Sequence, residues 1–401
     1  MVDERLYLSA DEASKALGVT VTTLYAYVSR KLIRSEKVPG EKQRRYWRAD
    51  VEKLRGRVDE THEPDRGPPA VSIALSTSIT LLTERGLYFR GLNALELAQS
   101  HTLEALAALL WEVEEDAAFG PDAVALPASE QLHLGGLGHL GLFERTLAAL
   151  PLAERADPKS YDLSMPGFAR TAAQALRWTA ALVAKSVEPM PSPIHRNLAK
   201  ALRAPKGFEE VIRCLLVLSA DHEFDPLTYT VRSVANVGVT PFQAVMTGMI
   251  AAQGQRFQAE RYGASSRFLR EIMASSDGAC AVIDRLRSGQ PLAGFGVAGS
   301  QADPRATLMM DVLDQVLKKD ASMNRLRAAQ RAAFDSVGVP IDFILVSIFI
   351  GHRLGLADDS LAITGIGRTA GWLAHAMEQM QTRVMVRPRA TYVGKLPRTA
   401  G

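Results

Sequence analysis

The spacing of apolar residues predicts a chain built chiefly from helices. Near its start, Ala13, Ala16 and Leu17 share one helical face, with Ser9 placed as a cap and Asp11 and Glu12 in the first turn. Gly18 ends that helix, and Thr20 can cap a second one carrying Val21, Leu24, Tyr25 and Val28. Leu32-Ile33 and Tyr46-Trp47 flank the polar turn Pro39-Gly40-Glu41-Lys42, which predicts a two-stranded wing. Residues 58–70 break regular structure, because Pro64, Gly67, Pro68 and Pro69 cluster there among charged neighbours. From residue 92 to 380 the pattern is mostly helical, most clearly over 102–113, 169–187 and 208–220. Gly- and Pro-rich breaks fall at 134–141, 188–194 and 291–299. Residues 365–378 read as a helix start carrying Arg368, where glycines allow close backbone approach and a helix N-terminus attracts anions.

Composition agrees with this picture and narrows it. A chain of 401 residues is too long for one small core, so two or three domains are expected. Hydrophobic residues at 47% suffice for a packed interior, and only 6% are aromatic, which favours close-packed helices over sheets. No apolar run approaches the roughly 20 residues that cross a bilayer, since residues 343–350 form the longest and include Ser347. The acidic start, Met1 to Arg5, lacks a signal-peptide core, so the cytoplasm is the expected location, with no membrane partner. Cys214 and Cys280 sit in apolar helical contexts and are expected to be buried, reduced thiols.

Charge separates the first module from the rest. Residues 1–57 carry 13 Lys and Arg against 8 Asp and Glu, a balance of +5, which leaves −2 for the remainder. Two short helices around a Gly turn make a helix-turn-helix, whose second helix enters the DNA major groove. Thr22, Tyr25, Arg30, Arg44 and Arg45 are the candidate DNA contacts, with Arg48 adding charge beside the wing. No metal-ligand spacing, Ser-His-Asp arrangement or phosphate loop is present, so no metal or other resident cofactor is expected.

Residues 7–51, from Tyr7-Leu8-Ser9 through Tyr25, Tyr27 and Arg30 to Arg45-Tyr46 and Asp50-Val51, resemble a winged helix-turn-helix of the MerR and excisionase type. The run Gly367-Arg368-Thr369-Ala370-Gly371-Trp372, followed by Ala374-His375, Glu378, Arg387-Pro388-Arg389, Tyr392 and Gly394, resembles the C-terminal signature of the citrate synthase family. Leu87 to Gly91, Ala220-Asp221-His222-Glu223 and Asp303-Pro304-Arg305-Ala306 resemble further motifs of that family, in order. The resemblance implies a mainly α protein: a winged helix-turn-helix over 1–57, a linker over 58–70, and an all-α citrate-synthase-like body over 71–401. That body has a large helical part and a smaller helical subdomain near 220–330, and it dimerises through helices.

The resemblance also implies roles. His222 hydrogen-bonds an oxaloacetate-like ligand, Arg305 and Arg368 bind its carboxylates, and Arg387 reaches into a neighbouring subunit's site. Chemically, an imidazole with several guanidinium forks suits a compact dicarboxylate or tricarboxylate. Asp342 resembles the aspartate that takes the methyl proton of acetyl-CoA, and the apolar Phe343 to Val346 could tune it towards a base's range. An equal reading makes Asp342 a helix cap after Pro340.

Two positions depart from the family pattern. Phe257 stands where the enolate-stabilising histidine belongs, and Val297 where the carbonyl-polarising histidine belongs, with Ala298 replacing a neighbouring arginine. Neither Phe nor Val donates a hydrogen bond. Losing one oxyanion donor costs about 10²–10³ in rate, and losing acid–base help a further roughly 10²–10⁴. Weak or no condensation is therefore expected, and acetyl-CoA contacts on the same loops should suffer. His133, His139, His195, His352 and His375 read as structural rather than as replacements. Three functions follow: a slow synthase-type acyltransferase, a dicarboxylate- or citrate-sensing transcription regulator, or a non-catalytic partner of an intact citrate synthase.

Overall fold

The computed structural model describes residues 7–37, 44–59, 76–83, 86–121, 123–254, 262–297, 300–357 and 359–382. The chain is mainly helical and divides into two compact units, one within Met1–Leu75 and the other within Ser76–Gly401.

In the first unit, helix Ala10–Leu17 begins at a reciprocal cap. Ser9 Oγ accepts the Glu12 N–H, and the Glu12 carboxylate accepts the Ser9 N–H at 2.8 Å. Gly18 closes the helix in the left-handed conformation, and Thr20 caps helix Val21–Ser29 by accepting the Thr23 N–H. The strands differ from the two-stranded expectation. Arg44–Trp47 runs antiparallel between Tyr7–Leu8 and Ser35–Lys37, making three strands. Leu32-Ile33 lies before the strand, because Lys31 takes φ +59° and Ile33 turns into the core. There it joins Leu8, Ala13, Leu17, Leu24, Tyr46 and Val51. Asp50 holds the segment after that turn: its carboxylate accepts the Arg34 N–H and two guanidinium bonds, each at 2.9 Å. The predicted turn at 39–42 and residues 60–70 of the predicted linker lie outside the described residues.

The second unit opens with a hairpin, Thr80–Thr83 against Gly86–Phe89, extended by Leu92–Asn93. The helices predicted over 102–113, 169–187 and 208–220 form as Leu103–Trp111, Met165–Val183 and Phe208–Leu218. The predicted break at 134–141 is partly helical instead. Helix Ala128–Gly136 and a 3-10 turn at Leu137–His139 run into it, with Leu134 buried as their anchor. The long helix Ala362–Thr382 is buried along most of its length and packs on Leu103–Trp111, Met165–Val183, Phe208–Leu218, Pro226–Ala235 and Pro241–Ala252. A second group, Ala264–Ala274, Gly278–Arg287, Ala321–Val337 and Phe343–Arg353, packs together.

The long helix corrects the reading of residues 365–378. It starts at Ala362, so Arg368 lies nearly two turns inside and not at an N-terminus. Its glycines approach protein backbone. A Cβ on Gly367 would overlap the Leu216 carbonyl oxygen, and one on Gly371 the Ala220 carbonyl oxygen. Both glycines therefore set how closely the long helix meets the chain around Asp221.

Cys214 and Cys280 are both free. Cys214 is buried, and burial above all pushes its thiol up to about 12. Cys280 is exposed, against expectation, because helix Gly278–Arg287 turns Ala281 and Val282 inward. Among the described residues, no helix is long and apolar enough to cross a membrane.

Candidate functional site

The site is built on Asp221, a carboxylate within the run Ala220-Asp221-His222-Glu223. Asp221 follows the end of helix Phe208–Leu218, and its side chain is fully buried. Oδ2 accepts the Thr80 hydroxyl at 2.6 Å and the Glu223 N–H at 3.1 Å, while Oδ1 accepts Arg368 Nη1 at 2.6 Å. His375 Nε2 lies 3.1 Å from Oδ2, and His375 Nδ1 faces a guanidinium N–H of Arg232 at 3.2 Å. Since arginine only donates, this pairing assigns the imidazole proton to Nε2. Arg232 also pairs with Glu378, whose other oxygen accepts the Ser78 N–H at 2.7 Å. His375 and Glu378 of the signature thus belong to a buried framework.

Three of the predicted ligand residues come together on this framework. Arg368 extends from the long helix: Nη1 bonds Asp221, and Nη2 bonds Asp225 Oδ2 at 2.8 Å and Thr228 Oγ1 at 2.6 Å. Arg305, the second residue of helix Pro304–Val316, forks back onto Asp303 and lies 4.5 Å from the ring centroid of Phe343. His222 is pushed down to about 4, by burial first and then by Arg305 and Arg368; Asp225 and Asp303 oppose the shift. At neutral pH it is an uncharged imidazole within the influence of two cations, able to bond a keto or hydroxyl oxygen. Its folded value lies below the unfolded value of roughly 6.5. This group's contribution to stability is therefore full above that value, falls as pH drops towards about 4, and is level below.

Asp342 caps helix Phe343–Arg353, with Oδ1 accepting the Leu345 N–H at 2.7 Å, so the capping reading is met in the structure. It is joined to the cluster through Phe343, its neighbour, which carries Arg305. The glycine-rich segment runs beside it. Asp342 N–H donates to the Gly294 carbonyl at 3.0 Å, and Gly296 N–H to the Pro340 carbonyl at 2.8 Å. Gly294 has φ +86°, and a Cβ there would press on Leu345 at 2.9 Å. Val297 follows, 76% exposed, with a side chain that offers no proton or donor. Arg387, Phe257 and Ala298 lie outside the described residues.

Sequence reasoning missed Asp225, Asp303 and Thr228 as site residues. A signal was present for the first two: Asp225-Pro226 and Asp303-Pro304 each put a capping residue before proline at the first helical position. Among the described residues, no group of three or more His, Cys, Asp or Glu is arranged to hold a metal.

In the first unit, Thr22 and Tyr25 lie on the exposed face of helix Val21–Ser29, with Leu24 buried behind them. Arg30 and Arg44 are exposed and Arg45 is half-buried.

Comparison with known proteins agrees with both units. Residues 8–56 match the family model for the MerR HTH family regulatory protein. Two curated relatives are 2-methylcitrate synthase of Shewanella oneidensis, 25% identical over 208 residues, and citrate synthase 2 of Bacillus subtilis, 27% identical over 195 residues. These alignments cover 49% and 46% of this chain, and 54% and 51% of the relatives, so the chain spans about half their length. Citrate synthase of Thermoplasma acidophilum, solved as a ternary complex with carboxymethyl coenzyme A and oxaloacetate, shares the fold. The TM-score is 0.65 at 18% identity, over 82% of this chain and 96% of that one. Residues 70–389 match the family model for the citrate synthase C-terminal domain, and the chain belongs to the citrate synthase family.

Proposed function

We propose that the synthase-family body binds a compact dicarboxylate of the oxaloacetate type and condenses it with acetyl-CoA weakly or not at all. The observation that carries this reading is that His222, Arg305 and Arg368 lie near enough for both guanidinium charges to act on one neutral imidazole. The Thermoplasma structure is a ternary complex with oxaloacetate and carboxymethyl coenzyme A, which supports the ligand class. Arg387 is read as completing the carboxylate set, and Asp342 as the base. The weak turnover rests on Val297 and Phe257, neither of which can stabilise an enolate oxygen or polarise a carbonyl. The protein is read as pairing with a second copy of itself or with an intact citrate synthase, and as working in the cytoplasm. A thiol-release assay with oxaloacetate and acetyl-CoA or propionyl-CoA tests this. CoA release at least about 10³-fold below an intact synthase is expected; release at an ordinary synthase rate overturns the reading.

A second reading is favoured by the match of residues 8–56 to a regulatory helix-turn-helix. Here the body senses the acid, and the first unit binds DNA through Thr22, Tyr25, Arg30, Arg44 and Arg45. Binding to the DNA upstream of its own coding sequence is expected to change when citrate or oxaloacetate is added. Replacing Arg44 and Arg45 together with glutamate should weaken it at least about tenfold and flatten its salt dependence. No binding with or without the acids removes this reading.

A further inference from the structure

Each arginine beside His222 already carries a carboxylate of the protein itself. Arg305 is forked by Asp303, the cap of its own helix. Arg368 is shared between Asp221 and Asp225, and these two are not equivalent. Asp221 is fully buried and tied to Thr80, His375 and Glu223, so it belongs to the framework. Asp225 is partly exposed, at 27%. One of its oxygens caps helix Pro226–Ala235 by accepting the Thr228 N–H at 2.8 Å, and the other accepts Arg368 Nη2 at 2.8 Å.

The geometry of that contact matters for a ligand. A guanidinium grips a carboxylate at two points in one of two ways, through Nε with Nη2 or through Nη1 with Nη2. Nη2 is common to both. In this protein its two hydrogens are directed to Asp225 and to the Thr228 hydroxyl. A ligand carboxylate can fork onto Arg368 only by displacing one of them. Thr228 is neutral and its hydroxyl can rotate, whereas Asp225 is a charged competitor. Asp225 and Asp303 thus set two carboxylates of the protein against the two cations that act on His222.

We propose that Asp225 is a specificity-determining residue: a built-in carboxylate that occupies the ligand edge of Arg368 and weakens the hold on doubly charged acids. The inference rests on the reading of His222, Arg305 and Arg368 as the acid site. It is tested by calorimetry on the full chain with oxaloacetate, a dianion, and pyruvate, a monoanion. Wild type is compared with Asp225→Asn and Asp225→Ser. Both replacements retain a good helix cap, so the fold should persist, and a thermal melt verifies it. Each should tighten oxaloacetate about tenfold and pyruvate by no more than about threefold, because the removed charge opposes a dianion more. A folded variant pair that binds oxaloacetate no tighter than a wild type that does bind it overturns the proposal. If wild type and both variants bind no acid, the site reading falls, and this inference with it.

Discussion

Replacing Asp221 with asparagine is expected to destabilise the helical unit by about 3–5 kcal/mol, the usual cost of removing one partner from a buried ion network. The side chain is fully buried and meets Thr80, Arg368, His375 and the Glu223 N–H. Burial alone would raise its pKa. The electrostatic attraction of the His375 N–H and of the Arg368 charge, with the hydrogen bonds from His375 and Thr80, outweighs burial and holds the carboxyl below its ordinary range. An amide keeps the shape but loses the charge, and it turns an N–H₂ towards groups that themselves donate. Because the folded value is depressed, the charge-dependent stability is present above the ordinary carboxylate range. It falls progressively as pH drops below that range and is gone once pH has passed through the folded value. Urea unfolding at neutral pH measures the effect as a shift in midpoint at constant slope. A loss under about 1 kcal/mol would show that the network is not what holds these helices together.

The second large effect falls on binding. Arg368→Lys is expected to weaken oxaloacetate binding about 100-fold or more, since truncating a partner of a buried charge pair typically costs 2–5 kcal/mol. Lysine keeps a cation near Asp221 and Asp225 but supplies a point charge where arginine supplies a planar fork. Stability should therefore suffer less than affinity. Isothermal titration together with a melt separates the two. Retention of full affinity in Arg368→Lys would mean that the acid does not use this guanidinium.

Much of this arrangement is legible in the chain, and what escapes has a physical reason. The capping box at Ser9 and Glu12, the stop at Gly18 and the cap at Thr20 are local, so sequence alone locates them. The motif residues His222, Arg305 and Arg368 are recognisable by resemblance, and the fold brings both arginines near enough to act on the imidazole. The partners are harder to read. Arg368 meets Asp221 across 147 residues of sequence and Thr228 across 140, contacts that only the packing of the long helix creates. The glycines of the signature suggest a ligand, yet at Gly367 and Gly371 the close neighbours are Leu216 and Ala220. Periodicity also missed the hairpin at Thr80–Phe89, because a four-residue strand carries too little pattern to stand out from a helical background. That hairpin nonetheless supplies Thr80 to Asp221.

The central claim is a site that holds a dicarboxylate without the means to use acetyl-CoA efficiently. Calorimetry of the full chain with oxaloacetate and with acetyl-CoA, titrated separately at neutral pH, tests it most directly. Saturable heat with oxaloacetate and none with acetyl-CoA is the predicted result. Saturable binding of acetyl-CoA, or no binding of oxaloacetate, contradicts it.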